Sequence, residues 1–118
     1  MLSDTQKNFY KKLLGKRGER AAVGFLKKSG YKVIKRNFTT PFGEADIVAE
    51  KDGTTVFIEV KTRTNDSFGE PKDAVGFKKR AKYVRIAEYY MNEYGAENVA
   101  FAVAEVSGKN ITLIENAF

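Results

Sequence analysis

The amino-acid sequence predicts a single α/β domain spanning residues 1–118, with a mixed β-sheet flanked by helices in the order α-β-β-β-α-β-β. Three observations predict it: two long segments with apolar residues at helical spacing, five short apolar segments typical of strands, and an Asp-Gly turn signal between the second and third strands. A chain of 118 residues is long enough to bury one hydrophobic core and too short for two domains.

The first element is a helix predicted over residues 5–29 and ended by Gly30. Its predicted buried stripe consists of Gly18, Ala22, Phe25, Leu26 and Ser29. Glu19 lies at the edge of that stripe, where a carboxylate is unusual for a plain surface helix. Two interpretations stay open for Glu19: a boundary ion pair with a lysine or arginine, or an acid that belongs to a functional site.

A strand over 31–37 and a loop over 38–43 lead to a hairpin with Asp52-Gly53 at its turn, because a two-residue turn of this type needs positive φ. The predicted cross-strand pairs are Lys51–Thr54, Val48–Phe57, Ile47–Ile58, Asp46–Glu59 and Glu44–Lys61. Strand alternation predicts two faces, one near the first helix with Glu44, Asp46, Glu59 and Lys61, the other with Ala45, Ile47, Val56, Ile58 and Val60. A longer loop would shift this register.

Residues 65–72 form a predicted turn-rich loop, and residues 73–94 form a second helix. The predicted inner stripe of this helix consists of Phe77, Ala81, Val84, Ala87, Met91 and Tyr94. Its tyrosines are predicted to pack in or beside the core rather than to stack on bases. Strands over 99–106 and 111–115 follow, joined by a short turn. The helix before the fourth strand permits a parallel crossover, while the short turns imply antiparallel neighbours.

The composition excludes several classes of protein. Without histidine or cysteine there is no Ser-His-Asp or Cys-His nucleophile, no usual zinc hydrolase site and no disulfide framework. The polar N-terminus is not a secretory signal, and no apolar run is long enough to span a bilayer. A cytoplasmic protein with no membrane partner is therefore the expectation.

The formal net charge of +6 is unevenly distributed along the chain. Residues 1–64 contain 14 lysines and arginines against 7 acids, whereas residues 65–118 contain 7 against 8. A polyanionic partner such as a nucleic acid would explain this distribution, and a charge that serves only solubility explains it equally well.

The hairpin carries the candidate chemistry. Two partly buried carboxylates on neighbouring strands repel each other, so one takes up a proton or a cation lies between them. Asp46, Glu59 and the backbone carbonyl of Val60 would suit Mg²⁺, with Glu19 as a third acid, and Lys61 could assist an attacking water. These residues predict metal-assisted hydrolysis of a phosphodiester bond. Ordinary cross-strand ion pairs, which contribute little to stability, are the alternative.

Asp46 followed by Glu59-Val60-Lys61 resembles the motif of the PD-(D/E)xK nuclease superfamily, whose restriction-endonuclease-like core has a similar order of elements. More specifically, the chain resembles the YraN-like family of uncharacterised predicted endonucleases, and its fold and site are similar to those of archaeal Holliday-junction resolvases. The resembling stretches are GERAA, GYKVIKRN, FGEADIVAE, VFIEVKTR, FGEPKDAV and the helix that contains Lys79.

The resemblance implies that Asp46 and Glu59 are metal ligands, that Lys61 is the catalytic lysine and that Glu19 completes the site. Glu44 matches the family, and its predicted position opposite Lys61 suggests that it orients the lysine. Two departures stand out: Ala45 replaces the proline of the superfamily motif, and the fourth strand lacks an acid expected from relatives.

The basic residues of the second helix are candidates for phosphate contacts, which position a nucleic acid without reading its sequence. The predicted contacts are Lys78, Lys79, Arg80, Lys82 and Arg85, with Arg36, Arg63 and Lys72 in addition. The resulting hypothesis is a Mg²⁺-dependent nuclease, able to use Mn²⁺, that acts on DNA in preference to RNA, on branched or irregular structures and as a homodimer. A nucleic-acid-binding module that does not cut and an interaction protein with an ion-paired sheet face are the alternatives.

Overall fold

A computed structural model describes residues 3–63 and 76–116. In chain order its elements are α1 (Asp4–Lys28), β1 (Lys32–Thr40), β2 (Gly43–Lys51), β3 (Thr54–Arg63), α2 (Phe77–Tyr94), β4 (Val99–Ser107) and β5 (Asn110–Glu115). This order confirms the predicted α/β fold with a mixed sheet flanked by helices. The predicted loop over 65–72, the stretch 68–75 within the family resemblance and the first residues of the predicted second helix, 73–75, lie outside the described residues.

Helix α1 begins and ends where local chemistry favours it. Ser3 and Gln6 form a reciprocal capping box, in which each side chain accepts a hydrogen bond from the other residue's backbone N–H. Gly30, with φ of 92°, follows the last turn. The predicted stripe is confirmed, since Gly18 is buried and Ala22 and Leu26 are fully buried.

The five strands lie in the order β1-β2-β3-β4-β5. Neighbours are antiparallel except β3 and β4, which are parallel and connected through α2, as the crossover prediction requires. Asp52 and Gly53, with φ of 51° and 80°, form the predicted two-residue turn and set the register from Lys51–Thr54 to Ile47–Ile58.

The sheet separates two hydrophobic cores. On the α1 side, Ala22 and Leu26 pack against Ile47, Ile58 and the alanines of β4. The other core, on the α2 side, contains Phe38, Ala45, Val48, Phe57, Tyr83, Ile86, Ala87 and Tyr90. Each large apolar side chain buried in this way contributes about 1.5 to 3 kcal/mol relative to an exposed one. Burial on both faces of β2 and β3 therefore fixes the central hairpin between the helices.

The predicted inner stripe of α2 is wrong. Phe77 is 85% exposed, Val84 is 46% exposed and Tyr94 is 55% exposed; of the predicted residues only Ala87 is buried. The residues of α2 that face the core are Tyr83, Ile86, Ala87 and Tyr90. Burying large tyrosine rings removes more apolar surface than burying Ala81 and Val84, and the Tyr83 hydroxyl still has a polar partner in Glu59.

Two further predictions, one for β1 and one for β2, need correction. Strand β1 continues to Thr40, beyond the predicted end at position 37. Ala45 packs with Phe38 and Val48 on the α2 side and not with Ile47. Asn37, whose φ is 52°, interrupts the alternation of β1 next to Phe38, the residue paired with Ala45.

No helix among the described residues is both long and apolar enough to cross a membrane.

Candidate active site

The β2–β3 ladder ends at the pair Ile47–Ile58, immediately before the acids. Beyond this pair the Asp46 side chain, and not the backbone of β2, is the hydrogen-bond partner of β3. Asp46 Oδ2 accepts a hydrogen bond of 2.8 Å from the backbone N–H of Val60. The predicted pairs Asp46–Glu59 and Glu44–Lys61 therefore lie outside the ladder. Because Glu59 precedes Val60 in β3, this hydrogen bond still brings the Asp46 carboxylate near Glu59, which repels it electrostatically. Lys61 follows Val60 in the same strand.

Burial and neighbouring acids raise the pKa of Asp46 to about 6. Desolvation is the largest cause, and Glu59, Glu19 and Glu44 add electrostatic repulsion, while the hydrogen bond from Val60 acts in the opposite direction. The pKa of Glu19 is also raised by burial and by repulsion from Glu44 and Glu59, against attraction from Arg36. The structure therefore brings the predicted acids of α1, β2 and β3 within electrostatic range of one another.

Glu59 faces α2, which corrects the prediction that this acidic face lies near the first helix. Strand alternation explains the side, because Val60 packs in the α1-side core and Glu59 must then point the other way. The Lys79 ammonium lies 2.9 Å from Glu59 Oε1, and the Tyr83 hydroxyl donates a short hydrogen bond to Oε2. Burial and the proximity of Glu59 raise the pKa of Tyr83, which keeps its hydroxyl protonated as a donor.

The contact between α2 and Glu59 was not predicted from the sequence. Lys79 was expected to contact phosphate with its basic neighbours, and Tyr83 was expected only to pack. The spacing of Lys79 and Tyr83, four residues apart on a helix, places both on one face. That spacing is the signal in the sequence that could have revealed the pair, once the buried face of α2 is known.

The side chains of Glu44 and Glu19 both accept hydrogen bonds from Asn37. Thr39 Oγ1 donates to Glu44 Oε2 at 3.2 Å. In the amide orientation that satisfies both of its ends, the Asn37 nitrogen donates to Glu19 Oε1 at 2.8 Å and to Glu44 Oε1 at 3.3 Å. These contacts hold the Glu44 side chain toward β1 and α1. The Glu44–Lys61 pair, on which the predicted orienting role of Glu44 depended, lies beyond the end of the β2–β3 ladder.

Lys61 lies half-buried in β3, two residues after Glu59. Burial, followed by repulsion from Lys79, lowers the pKa of Lys61, while Glu59 and Glu105 act to raise it. A lysine with a lowered pKa exchanges protons more readily near neutral pH than an exposed lysine does. The position and the electrostatics of Lys61 both suit proton transfer beside Asp46 and Glu59.

The oxygen atoms at this site suit a hard divalent cation in number and type. Mg²⁺ is usually held by one or two carboxylates together with water and phosphate oxygens. Asp46 and Glu59 supply two carboxylates, and the repulsion that raises the Asp46 pKa is what a cation would relieve. Within residues 3–63 and 76–116, no group of three Asp or Glu side chains lies close enough together to hold a metal, so Glu19, Asp46 and Glu59 do not form a three-carboxylate set.

The predicted phosphate-binding residues have different surroundings. Lys78, Arg80 and Arg85 are exposed on α2, and Lys82 is half-buried. Arg36 is exposed and attracts Glu19, and Arg63 Nε lies 3.7 Å from Glu105 Oε2. Lys72 lies outside the described residues. Of these predicted residues, the exposed ones other than Arg36 therefore lie on α2.

Known proteins resemble this chain over most of its length. It is 44% identical over 106 residues to a UPF0102 protein of Thermodesulfovibrio yellowstonii, covering 89% of this chain and 95% of the relative. It is 45% identical over 116 residues to one of Caldicellulosiruptor saccharolyticus, covering 92% and 98%. A relative from Persephonella marina is 38% identical over 106 residues, covering 88% and 91%.

The sequence model of the uncharacterised protein family UPF0102 matches residues 18–106. The matched region begins beside Glu19 and extends to the end of β4, so it contains the hairpin acids, Lys61 and both α2 residues that contact Glu59. This result confirms the resemblance to the YraN-like family. The chain belongs to the uncharacterised protein family UPF0102.

Proposed function

We propose that this protein is a divalent-metal-dependent nuclease that hydrolyses phosphodiester bonds in DNA. One observation carries the proposal. Just beyond the end of the β2–β3 ladder, the Asp46 carboxylate accepts a hydrogen bond of 2.8 Å from the Val60 N–H. That hydrogen bond holds an acid with a raised pKa near Glu59, which lies two residues before Lys61 in β3. An ordinary ion-paired sheet face would not bury these acids together.

Asp46, Glu59 and the Val60 carbonyl are the groups that would hold the ion, with Glu19 near enough to act electrostatically or through water. Mg²⁺ is the expected ion and Mn²⁺ an effective substitute, because both prefer oxygen ligands. When bound, the ion supplies charge stabilisation for a phosphodiester under attack by water. Repulsion among the acids would fall at the same time, since a cation compensates their charge.

The chain's own residues have distinct tasks in this proposal. Lys61 faces the attacking water or a phosphoryl oxygen, and its lowered pKa favours proton transfer. Lys79 and Tyr83 hold the two oxygens of Glu59 from α2, which fixes the carboxylate before substrate arrives. Exposed cations on α2 would bind the phosphates that flank the reacting one.

The proposed substrate is DNA rather than RNA, with branched or otherwise irregular structures as the favoured class. A second candidate, a nucleic-acid-binding protein that does not cut, is favoured by the Lys79–Glu59 ion pair, because a lysine neutralises Glu59 without any metal. The predicted homodimer and cytoplasmic location stay predictions.

Cleavage assays with matched variants test the proposal. The purified protein should cut at least one of duplex, single-stranded, flap and four-way DNA in the presence of Mg²⁺ or Mn²⁺. Asp46→Asn, Glu59→Gln and Lys61→Ala should each lower the rate on the order of 100-fold or more, because each removes a group that acts on the transition state. Circular dichroism should show that these variants remain folded.

Asp52→Asn and Glu50→Gln are the matched controls, since they make the same chemical changes at exposed positions near the turn of the same hairpin. Both controls should retain the full rate. If the wild-type protein cuts no substrate but binds DNA in a salt-sensitive manner, the second candidate is correct. Equal losses in Asp46→Asn and Asp52→Asn would contradict the proposed site.

A further inference from the structure

Two exposed phenylalanine rings lie on α2 or against it. The Phe77 side chain, at the first residue of α2, is 85% exposed, and Phe42, in the turn between β1 and β2, is 44% exposed. An aromatic ring that stays in water does not gain the free energy that burial would contribute. Neither ring belongs to the two hydrophobic cores. The α2-side core is formed by other residues, with Tyr83 and Tyr90 at its centre.

Cations surround these rings. Lys78, Arg80 and Arg85 are exposed and Lys82 is half-buried, and the first acid of α2 is Glu88, one helical turn after Arg85. Lys79 is the exception among the basic residues, because it turns inward to Glu59. We call the set of Phe42, Phe77, Lys78, Arg80, Lys82 and Arg85 the α2 outer surface.

The turn between β1 and β2 is part of this surface because two cations of α2 lie across it. The Arg85 guanidinium lies 5.5 Å from the centre of the Phe42 ring. Lys82 covers Gly43 so closely that an added Cβ there would come 2.6 Å from Lys82 Cδ. Phe42 is therefore held against the basic helix, whose first residue is Phe77.

We infer that the α2 outer surface binds unpaired nucleotides next to the cleavage site, with the Phe77 ring stacking on a base. The inference rests on the proposed nuclease function and names the part of the substrate that this surface recognises. Single-stranded nucleic acid combines a phosphate backbone with exposed flat bases, and proteins bind it with cations and aromatic rings together. A duplex presents the same phosphates but keeps its base faces stacked inside, so the rings would have no partner there.

The distance from the site agrees with this assignment. Phe77 and Lys79 are two residues apart and point to opposite sides of α2, so roughly one helix diameter, about 10 Å, separates the ring from the Glu59 contact. Proteins that bind single strands contact roughly 4 to 16 nucleotides per binding fold, so this separation lies within the length of one bound strand. A base stacked on Phe77 would therefore flank the reacting phosphate rather than carry it.

Equilibrium binding without catalysis tests the inference. Fluorescence anisotropy in EDTA would compare a labelled single strand with the blunt duplex of the same sequence. Phe77→Ala should weaken binding of the single strand about tenfold, the loss expected for one stacked base, and change duplex binding less than about twofold. Phe77→Trp should retain single-strand affinity, whereas Phe77→Leu should behave like Phe77→Ala, because leucine is apolar but cannot stack.

Val84→Ala is the matched control, since it also removes exposed apolar surface from α2 without removing a ring. It should leave both affinities within about twofold. Unchanged single-strand affinity in Phe77→Ala, or an equal loss for the duplex, would overturn the inference. So would loss of binding to anionic phospholipid vesicles in Phe77→Ala with intact single-strand binding, which would assign the surface to a membrane.

The two proposals fail in different ways. If Asp46→Asn abolishes cleavage while Phe77→Ala binds normally, stacking is wrong and the nuclease stands. If no substrate is cut but Phe77→Ala loses single-strand binding, the surface belongs to a binding protein and the nuclease proposal is wrong.

Discussion

Asp46 shows how a single residue can be held in an unfavourable state by its neighbours. Its carboxylate is partly desolvated and lies within electrostatic range of Glu19, Glu44 and Glu59, and one hydrogen bond from Val60 compensates only in part. The folded protein therefore favours the protonated form of Asp46 more than the unfolded chain does. Such groups are frequent at functional sites, where stability is lost in exchange for reactivity.

The raised pKa of Asp46 predicts a specific dependence of stability on pH. The pKa is 3.8 for the ordinary group and about 6 in the folded protein, so between these values the folded state binds more protons than the unfolded state. Stability contributed by Asp46 should therefore fall as pH rises from about 4 through about 6.

Asp46→Asn removes the charge but keeps an oxygen that can accept the Val60 N–H. At pH 7.5 in EDTA this variant should be more stable than wild type, by about 1 to 2 kcal/mol after allowance for solvent screening.

Urea denaturation at pH 4 and pH 7.5 measures this difference. The advantage of Asp46→Asn should vanish at the lower pH, where wild-type Asp46 is protonated in the folded protein. Asp52→Asn is the control, because Asp52 is exposed in the turn, and it should change the free energy of unfolding equally at both pH values. A variant at position 46 that is less stable than wild type at pH 7.5 would contradict the assigned repulsion.

At the scale of elements, the closest contact of α1 with the sheet determines where Glu19 lies. Gly18 is buried against Thr62 of β3, and an added Cβ at Gly18 would overlap Thr62 Oγ1 and come 3.3 Å from Thr62 Cβ. Rotating the threonine side chain relieves the first contact but leaves the second. Glycine at this position therefore lets the helix approach β3, and the next residue is the candidate acid.

Gly18→Ala should destabilise the protein by about 1 to 3 kcal/mol, because the new methyl group overfills the α1–β3 contact. Gly24→Ala, in the same helix, has no atom within 4 Å of the added Cβ and should instead stabilise by about 0.5 to 1 kcal/mol. The double variant Gly18→Ala/Thr62→Ala should recover most of the loss. Urea denaturation measures all three, and a stabilising Gly18→Ala would show that helix and strand are not in tight contact.

The elements differ in how far the sequence could predict them. The β2–β3 register was predictable because the Asp52-Gly53 turn permits one short loop geometry, and the turn geometry propagates along the strands. Where the ladder ends was not predictable, since a side chain, Asp46, replaces the backbone partner of Val60. The buried face of α2 was mispredicted because apolar residues occur on two of its faces. Which face is buried depends on contacts with Glu59 and Phe57 that are distant in sequence.

For the whole molecule, the distribution of charge matters more than its sum. The acids of the candidate site lie at the sheet, compensated in part by Lys79 and Arg36, while Lys78, Arg80 and Arg85 are exposed on α2. A polyanion attracted to α2 would be guided toward the end of the sheet where Asp46 and Glu59 lie. The positive helix would then offset the repulsion that the acids exert on a phosphate.

The salt dependence of duplex binding tests this arrangement. Lys78→Gln/Arg80→Gln removes two exposed cations from α2, and Lys27→Gln/Lys28→Gln removes two from the last turn of α1, so net charge changes equally. In EDTA, the slope of log affinity against log salt should fall by about two for the α2 variant, because each phosphate contact releases about one counterion. The α1 variant should change the slope by much less than one. Equal changes in the two variants would mean that DNA responds to total charge, and α2 would then have no special part in binding.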